Sequence, residues 1–170
     1  MPNVAEAITM KGNPVTLLGK DVKVGSDAPN VTLVANDLSE FKLSSLKGKK
    51  VLLSVVPSLD TGICDLQTKR FNQEAAKLGK DVAIVTISMD LPFAQKRWCG
   101  LTGSNQITTL SDHREAAFGE AYGVLIKGLR LLTRSIFVVD ANGTLRYKQL
   151  VKEITTEPNY DEALAALKKL

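Results

Sequence analysis

The 170-residue sequence predicts a mixed α/β fold, a sheet covered by helices on both faces. Three observations predict it. The aliphatic runs at 51–56 and 82–88 have the composition of strands buried on both sides. Each run is followed by a segment with helical punctuation, and strand–helix alternation builds parallel strands joined by crossover helices. Near the C-terminus, residues 135–140 and 144–150 flank Ala141-Asn142-Gly143. Asn-Gly marks a hairpin, so antiparallel strands join the same sheet.

The elements follow in order. Residues 8–10 and 15–18, with Gly12-Asn13-Pro14 between them, read as an N-terminal hairpin extension within residues 1–18. A short extended stretch at 31–34 precedes a loop ending at Gly48. Pro57 stops the run at 51–56. A helix is predicted from Gly62 to Leu78, capped by Asp60 or Thr61 and ended by Gly79. After the run at 82–88, Pro92 opens a short helix to Cys99, with Gly100 just beyond its end. A short strand at 108–110 leads to Ser111-Asp112, which opens a helix to about Tyr122. The hairpin and an amphipathic helix from Tyr160 to Leu170 complete a single domain, 1–170.

Composition removes several function classes. The chain is 44% hydrophobic and 24% charged, as ordinary globular proteins are. Its net charge of +4 is spread without a basic block, which gives no footprint for nucleic acid. Two cysteines and one histidine cannot make a Cys/His zinc site without a carboxylate, and no glycine-rich phosphate loop occurs. Neither metal nor cofactor is implied. No apolar run approaches the ~18 residues of a membrane span. Pro2, Asn3 and Glu6 stand where a secretion signal would be basic and then apolar. The expectation is a cytoplasmic protein whose cysteines are reduced at rest and, if used, are used for chemistry.

The two cysteines are not equivalent. Cys64 falls in the first turn of its helix, where unpaired N–H groups and the positive dipole end favour an anion. Cys99 falls in the last turn of the next helix, where the dipole opposes a thiolate. Cys64 also shares a helical stripe with Phe71, Ala75 and Leu78, so a buried structural cysteine fits the same position. Chain lengths add a spatial argument. The first helix runs out about 25 Å at ~1.5 Å per residue, and the strand at 82–88 returns about 23 Å. Its end therefore comes back level with Cys64, at the edge where open α/β sheets keep their sites. The second helix carries Cys99 about 12 Å from that edge. That distance exceeds the ~7 Å Cα limit for a disulfide, so bonding requires one or both helix ends to unwind.

Pro57-Ser58-Leu59-Asp60-Thr61-Gly62-Ile63-Cys64 matches the P-x-x-x-T-x-x-C signature of peroxiredoxins. The run Ser88-Met89-Asp90-Leu91-Pro92-Phe93-Ala94-Gln95-Lys96-Arg97-Trp98-Cys99 resembles the resolving-cysteine segment of the bacterial thiol peroxidase branch. The N-terminal hairpin and Arg134-Ser135-Ile136-Phe137-Val138-Val139-Asp140 look like that branch as well. Many members carry proline where this chain has Gly62, a departure that touches loop rigidity only. The resemblance implies a thioredoxin-like fold. It makes Cys64 the peroxidatic cysteine and Cys99 the resolving cysteine, joined after oxidation in an intramolecular disulfide. Thr61 and Arg134 become polar partners of sulfur and peroxide, and Pro57 shapes the pocket. Thioredoxin is the implied reductant, hydrogen peroxide and organic hydroperoxides the substrates, and a homodimer the assembly. A redox-sensing disulfide switch or binding protein without turnover is the alternative.

Thiolate formation alone does not make an efficient peroxidase. Lowering a free thiol from ~8.5 to ~6 raises its ionised fraction at neutral pH only about thirtyfold. That gain is worth about 2 kcal/mol. Donors that align the peroxide must supply the rest, and Thr61 and Arg134 are suited to it. Arg134 alone would read as a strand-end charge and Thr61 as a helix cap. His113, beside Asp112, reads as a surface residue, and Asp60 as a cap. The segment 127–134 reads as a basic, solvated connection.

Overall fold

The computed structural model describes residues 1–170. Seven strands form the main sheet. β3 (Thr32–Val34), β4 (Glu40–Lys42), β5 (Lys50–Val55), β6 (Val82–Ser88), β7 (Thr108–Ser111), β9 (Ser135–Val139) and β10 (Leu145–Leu150) lie in the order β10-β9-β5-β6-β7-β3-β4. The hairpin β1 (Asn3–Met10) and β2 (Asn13–Leu18) forms a separate small sheet with β8 (Leu125–Ile126). The helices are α1 (Gly62–Ala75), α2 (Pro92–Thr102), α3 (Ala117–Tyr122) and α4 (Tyr160–Lys168). No helix is long and apolar enough to cross a membrane.

β5, β6 and β7 are parallel, with α1 and α2 as crossovers, and β9 runs antiparallel to β5. Side chains alternate across the sheet. Val51, Leu53, Val55, Val85, Ile87, Phe137 and Val139 enter one core, whereas Leu52, Ile84, Ile136 and Val138 enter the other with Cys64, Phe71 and Trp98. Burial on both faces explains why these strands read as unbroken aliphatic runs. This is the thioredoxin-like arrangement expected.

Several boundaries differ from expectation, each for a local reason. The N-terminal turn is Lys11-Gly12, both at positive φ (51° and 79°), as a two-residue hairpin loop requires. Asn13 and Pro14 therefore belong to β2. Pro14 is tolerated because its partner Thr9 turns its N–H and carbonyl outward, to Lys152 and Ile154. α1 ends at Ala75, short of Gly79. α2 runs past Gly100 to Thr102, and Gly103 (φ 65°) supplies the left-handed cap. α3 begins at Ala117 instead of near Asp112. The Asp112 carboxylate nonetheless accepts from the Phe118 and Gly119 N–H groups of its first turn. β4 and β8, of three and two residues, are too short for periodicity to reveal.

Candidate active site

The sheet register brings distant residues to one edge. β5 ends at Val55, followed by the Pro57-to-Thr61 loop and the start of α1. Because Ser135 pairs with Val55 across an antiparallel ladder, Arg134 is placed beside this loop, 70 positions from Cys64. The edge thus gathers Pro57, Thr61, Cys64 and Arg134.

Cys64 is the third residue of α1 and is fully buried, in the apolar cluster of Leu52, Val56 and Leu59. Two donors reach its sulfur. The Thr61 hydroxyl lies 2.6 Å from Sγ and the Arg134 Nη2 lies 3.3 Å away. Thr61 occupies the cap position of α1, yet its side chain caps no N–H. The expected cap is therefore replaced by a contact with sulfur. Asp60 does not cap the helix either; it faces solvent and pairs with Arg97 at 3.6 Å. Pro57 is buried directly after the strand, while Thr61 and Gly62 are exposed just outside Cys64. Entry to the sulfur therefore lies along the Thr61–Gly62 side.

Arg134 is 2% exposed, and each arm of its guanidinium is held. Nε donates to the Ile154 carbonyl at 2.8 Å, Nη1 to Gln67 Oε1 at 2.8 Å, and Nη2 to Cys64. Gln67 is itself fully buried, and its amide donates to Ser54 Oγ at 2.8 Å. Arg134 enters no ion pair with a carboxylate. A buried cation is thus aimed at sulfur by neutral partners. The Ile154 carbonyl is backed by the N-terminal hairpin, since Ile154 packs with Val4, Ile8 and Leu17. The neighbouring Glu153 accepts from the N–H groups of Lys11 and Gly12.

Cys99 lies elsewhere, in the last turn of α2, half-buried and not disulfide-bonded. Its sulfur faces Thr109 Oγ1 on β7 at 3.6 Å, and Thr109 donates to Asn36 Oδ1. Burial pushes the Cys99 thiol up from its ordinary value, and the Thr109 hydrogen bond opposes this only in part. Asp90, between β6 and α2, ties the two regions together. It accepts from the Ser58 hydroxyl (2.6 Å), the Leu59 N–H (2.8 Å) and the Ser88 hydroxyl (2.7 Å).

Gln67, Ser54, Ile154 and Asp90 belong to the hydrogen-bond network around the two cysteines, and sequence reading missed them. Only Asp90, inside a quoted motif, carried a signal. His113 is half-buried in a turn outside this constellation, and of segment 127–134 the first four residues are exposed while Leu132, Thr133 and Arg134 are buried. No three His, Cys, Asp or Glu side chains are grouped to hold a metal ion. A cavity of about 220 Å³ lies in the other layer, between Pro29, Leu46, Val51 and Tyr122, away from both cysteines.

A thioredoxin-like sheet with a buried cysteine opening its first crossover helix, under a guanidinium and a hydroxyl, defines a thiol-based redox enzyme. The redoxin family model matches residues 23–164. The chain is 58% identical over 163 residues to a thiol peroxidase of Bacillus subtilis (strain 168), covering 96% of this chain and 97% of that one. It is 57% identical over 162 residues to a thiol peroxidase of Halalkalibacterium halodurans, covering 95% and 97%. A crystal structure of a peroxiredoxin-like protein from Aquifex aeolicus superposes with a TM-score of 0.91 at 43% identity, covering 97% of both chains. The chain therefore belongs to the peroxiredoxin family, in its bacterial thiol peroxidase branch, and is a peroxidase-type oxidoreductase.

Proposed function

We propose that the chain, acting as one domain, reduces hydrogen peroxide and organic hydroperoxides through a two-cysteine cycle driven by thioredoxin. The carrying observation is the buried Arg134, without a carboxylate mate and with one arm 3.3 Å from the Cys64 sulfur. A guanidinium stays charged at any relevant pH. Its desolvation is compensated when the neighbouring sulfur, or an oxygen bound to it, carries negative charge.

The Cys64 thiolate attacks the nearer oxygen of ROOH. The S–O bond forms as O–O breaks, the leaving oxygen takes a proton as ROH, and sulfur becomes a sulfenic acid. Arg134 and Thr61 align the peroxide and stabilise charge developing on the leaving oxygen. Pro57 closes the pocket behind them. The Cys99 thiol then condenses with Cys64–SOH, releasing water and forming the disulfide. Thioredoxin's dithiol restores both thiols by exchange and is itself oxidised. The work is done in the cytoplasm by a homodimer.

The test is NADPH consumption through thioredoxin reductase and thioredoxin, with cumene hydroperoxide compared against hydrogen peroxide. Sustained turnover with both is expected. One stoichiometric oxidation without turnover refutes the cycle. Trp98 adjoins Cys99, so its fluorescence should change as the disulfide forms.

A further inference from the structure

For the disulfide to form, Cys99 must leave Thr109 and travel to the Cys64 sulfur, carried by α2. Only three side chains of that helix are buried: Pro92, Gln95 and Trp98. The first two hold its beginning. Gln95 donates to Ser88 Oγ (3.0 Å) and the Leu110 carbonyl (2.9 Å), and Asp90 grips Ser58 and Leu59 just before it. Beyond Gln95, Trp98 is the sole buried anchor. Gly100 and Leu101 are exposed, Leu101 at 77%. The Trp98 indole N–H donates to Asp65 Oδ1 at 2.9 Å. The contact thus joins the residue after Cys64 to the residue before Cys99.

We propose that the Trp98–Asp65 hydrogen bond is a latch on the free end of α2 that sets how fast Cys99 reaches oxidised Cys64. The inference rests on the two-cysteine cycle above. Asp65 is the fixed half: it lies in the first turn of α1 and pairs through Oδ2 with Lys69 at 2.8 Å. When α2 lifts, Lys69 and solvent still satisfy this carboxylate, so opening strands no buried charge. Trp98 is the moving half. The latch decides between two fates of Cys64–SOH. Condensation with the Cys99 thiol gives the disulfide and water. Attack on a second ROOH gives Cys64–SO₂H and ROH, and removes the enzyme from the cycle. Gly100 is the opposing element, since glycine weakens a helix interior and makes α2 easier to open. A Cβ there would meet nothing within 4 Å.

The experiment follows each thiol by quenched-flow alkylation and mass spectrometry after peroxide addition, then measures the sulfinic fraction under excess peroxide. Trp98→Phe keeps a ring and deletes the donor. Disulfide formation should quicken by about ten- to hundredfold, as expected when a hydrogen bond to a charged acceptor is removed, and the sulfinic fraction should fall in step. Asp65→Ala deletes the acceptor and should act in the same direction. The double variant should exceed neither single one, because one bond is removed once. Gly100→Ala should slow resolution by about fivefold and raise the sulfinic fraction. Lys69→Met should leave the partition unchanged. Unaltered or slower resolution in Trp98→Phe and Asp65→Ala, or additive effects of the two, overturns the latch, as does a loss of stability with no change in partition. A wild-type chain that forms no Cys64–Cys99 disulfide overturns the two-cysteine cycle and the latch with it. A normal wild-type disulfide with unshifted variants overturns the latch alone.

Discussion

Cys64 is fully enclosed in the first turn of α1 with a hydroxyl and a guanidinium aimed at its sulfur, whereas Cys99 is half-buried in the last turn of α2 beside one hydroxyl. Around Cys64, bonds from Arg134 reach two residues of α1, Cys64 and Gln67, and the Ile154 segment backed by the hairpin. Around Cys99, the last turn of the helix carries exposed Gly100 and Leu101 and is anchored in the core only through Trp98. The difference teaches that one thiol is placed to react without reorganisation, and the other is placed to move. Preorganisation at the first lowers the barrier to attack. Looseness at the second permits a bond that the folded state does not hold.

The contrast is broken most severely at the sulfurs. Cys64→Ser should abolish peroxide consumption, while Cys99→Ser should allow one oxidation per chain and then stop thioredoxin-driven turnover; a peroxide assay with and without thioredoxin separates the two. Arg134→Ala should slow sulfenic acid formation by about 10²–10³-fold, the usual effect of losing a preorganised donor. Stopped-flow rates across pH test this, because a loss confined to thiolate fraction would be recovered at high pH and a loss of transition-state stabilisation would not. Gln67→Leu removes an acceptor from a buried guanidinium and should slow the same step about tenfold while leaving disulfide formation unchanged. Gln67→Glu places a carboxylate there and should slow it further. The smallest effect concerns Cys99. Its thiol is raised by burial, so it is protonated at neutral pH, and in Cys64→Ser its alkylation rate should keep climbing above the range of a free cysteine. A midpoint at or below that range would erase the contrast.

The parts of this arrangement that sequence reveals are those that lie close together in the chain. Thr61 and Cys64 share one turn, and Pro57 ends the strand before them, so the signature is contiguous. The strands at 51–56 and 82–88 are legible because both faces are covered. Arg134 is legible only through resemblance, for its proximity to Cys64 depends on an antiparallel register closed 70 residues later. Gln67 looks like an exposed polar residue until Ser54 and Arg134 enclose it. The end of α2 is not legible in the sequence because Gly100 and Gly103 look alike there, and only the second adopts a positive φ.

The solitary cation in the core has a consequence for the molecule as a material. Its desolvation opposes folding by several kcal/mol, is only partly offset by its neutral partners, and is compensated further only when the Cys64 sulfur carries negative charge. Heat tolerance and turnover should therefore diverge at position 134. A selection for survival at high temperature that ignored peroxide would discard the guanidinium early, and one that demanded both traits would find its gains far from β9.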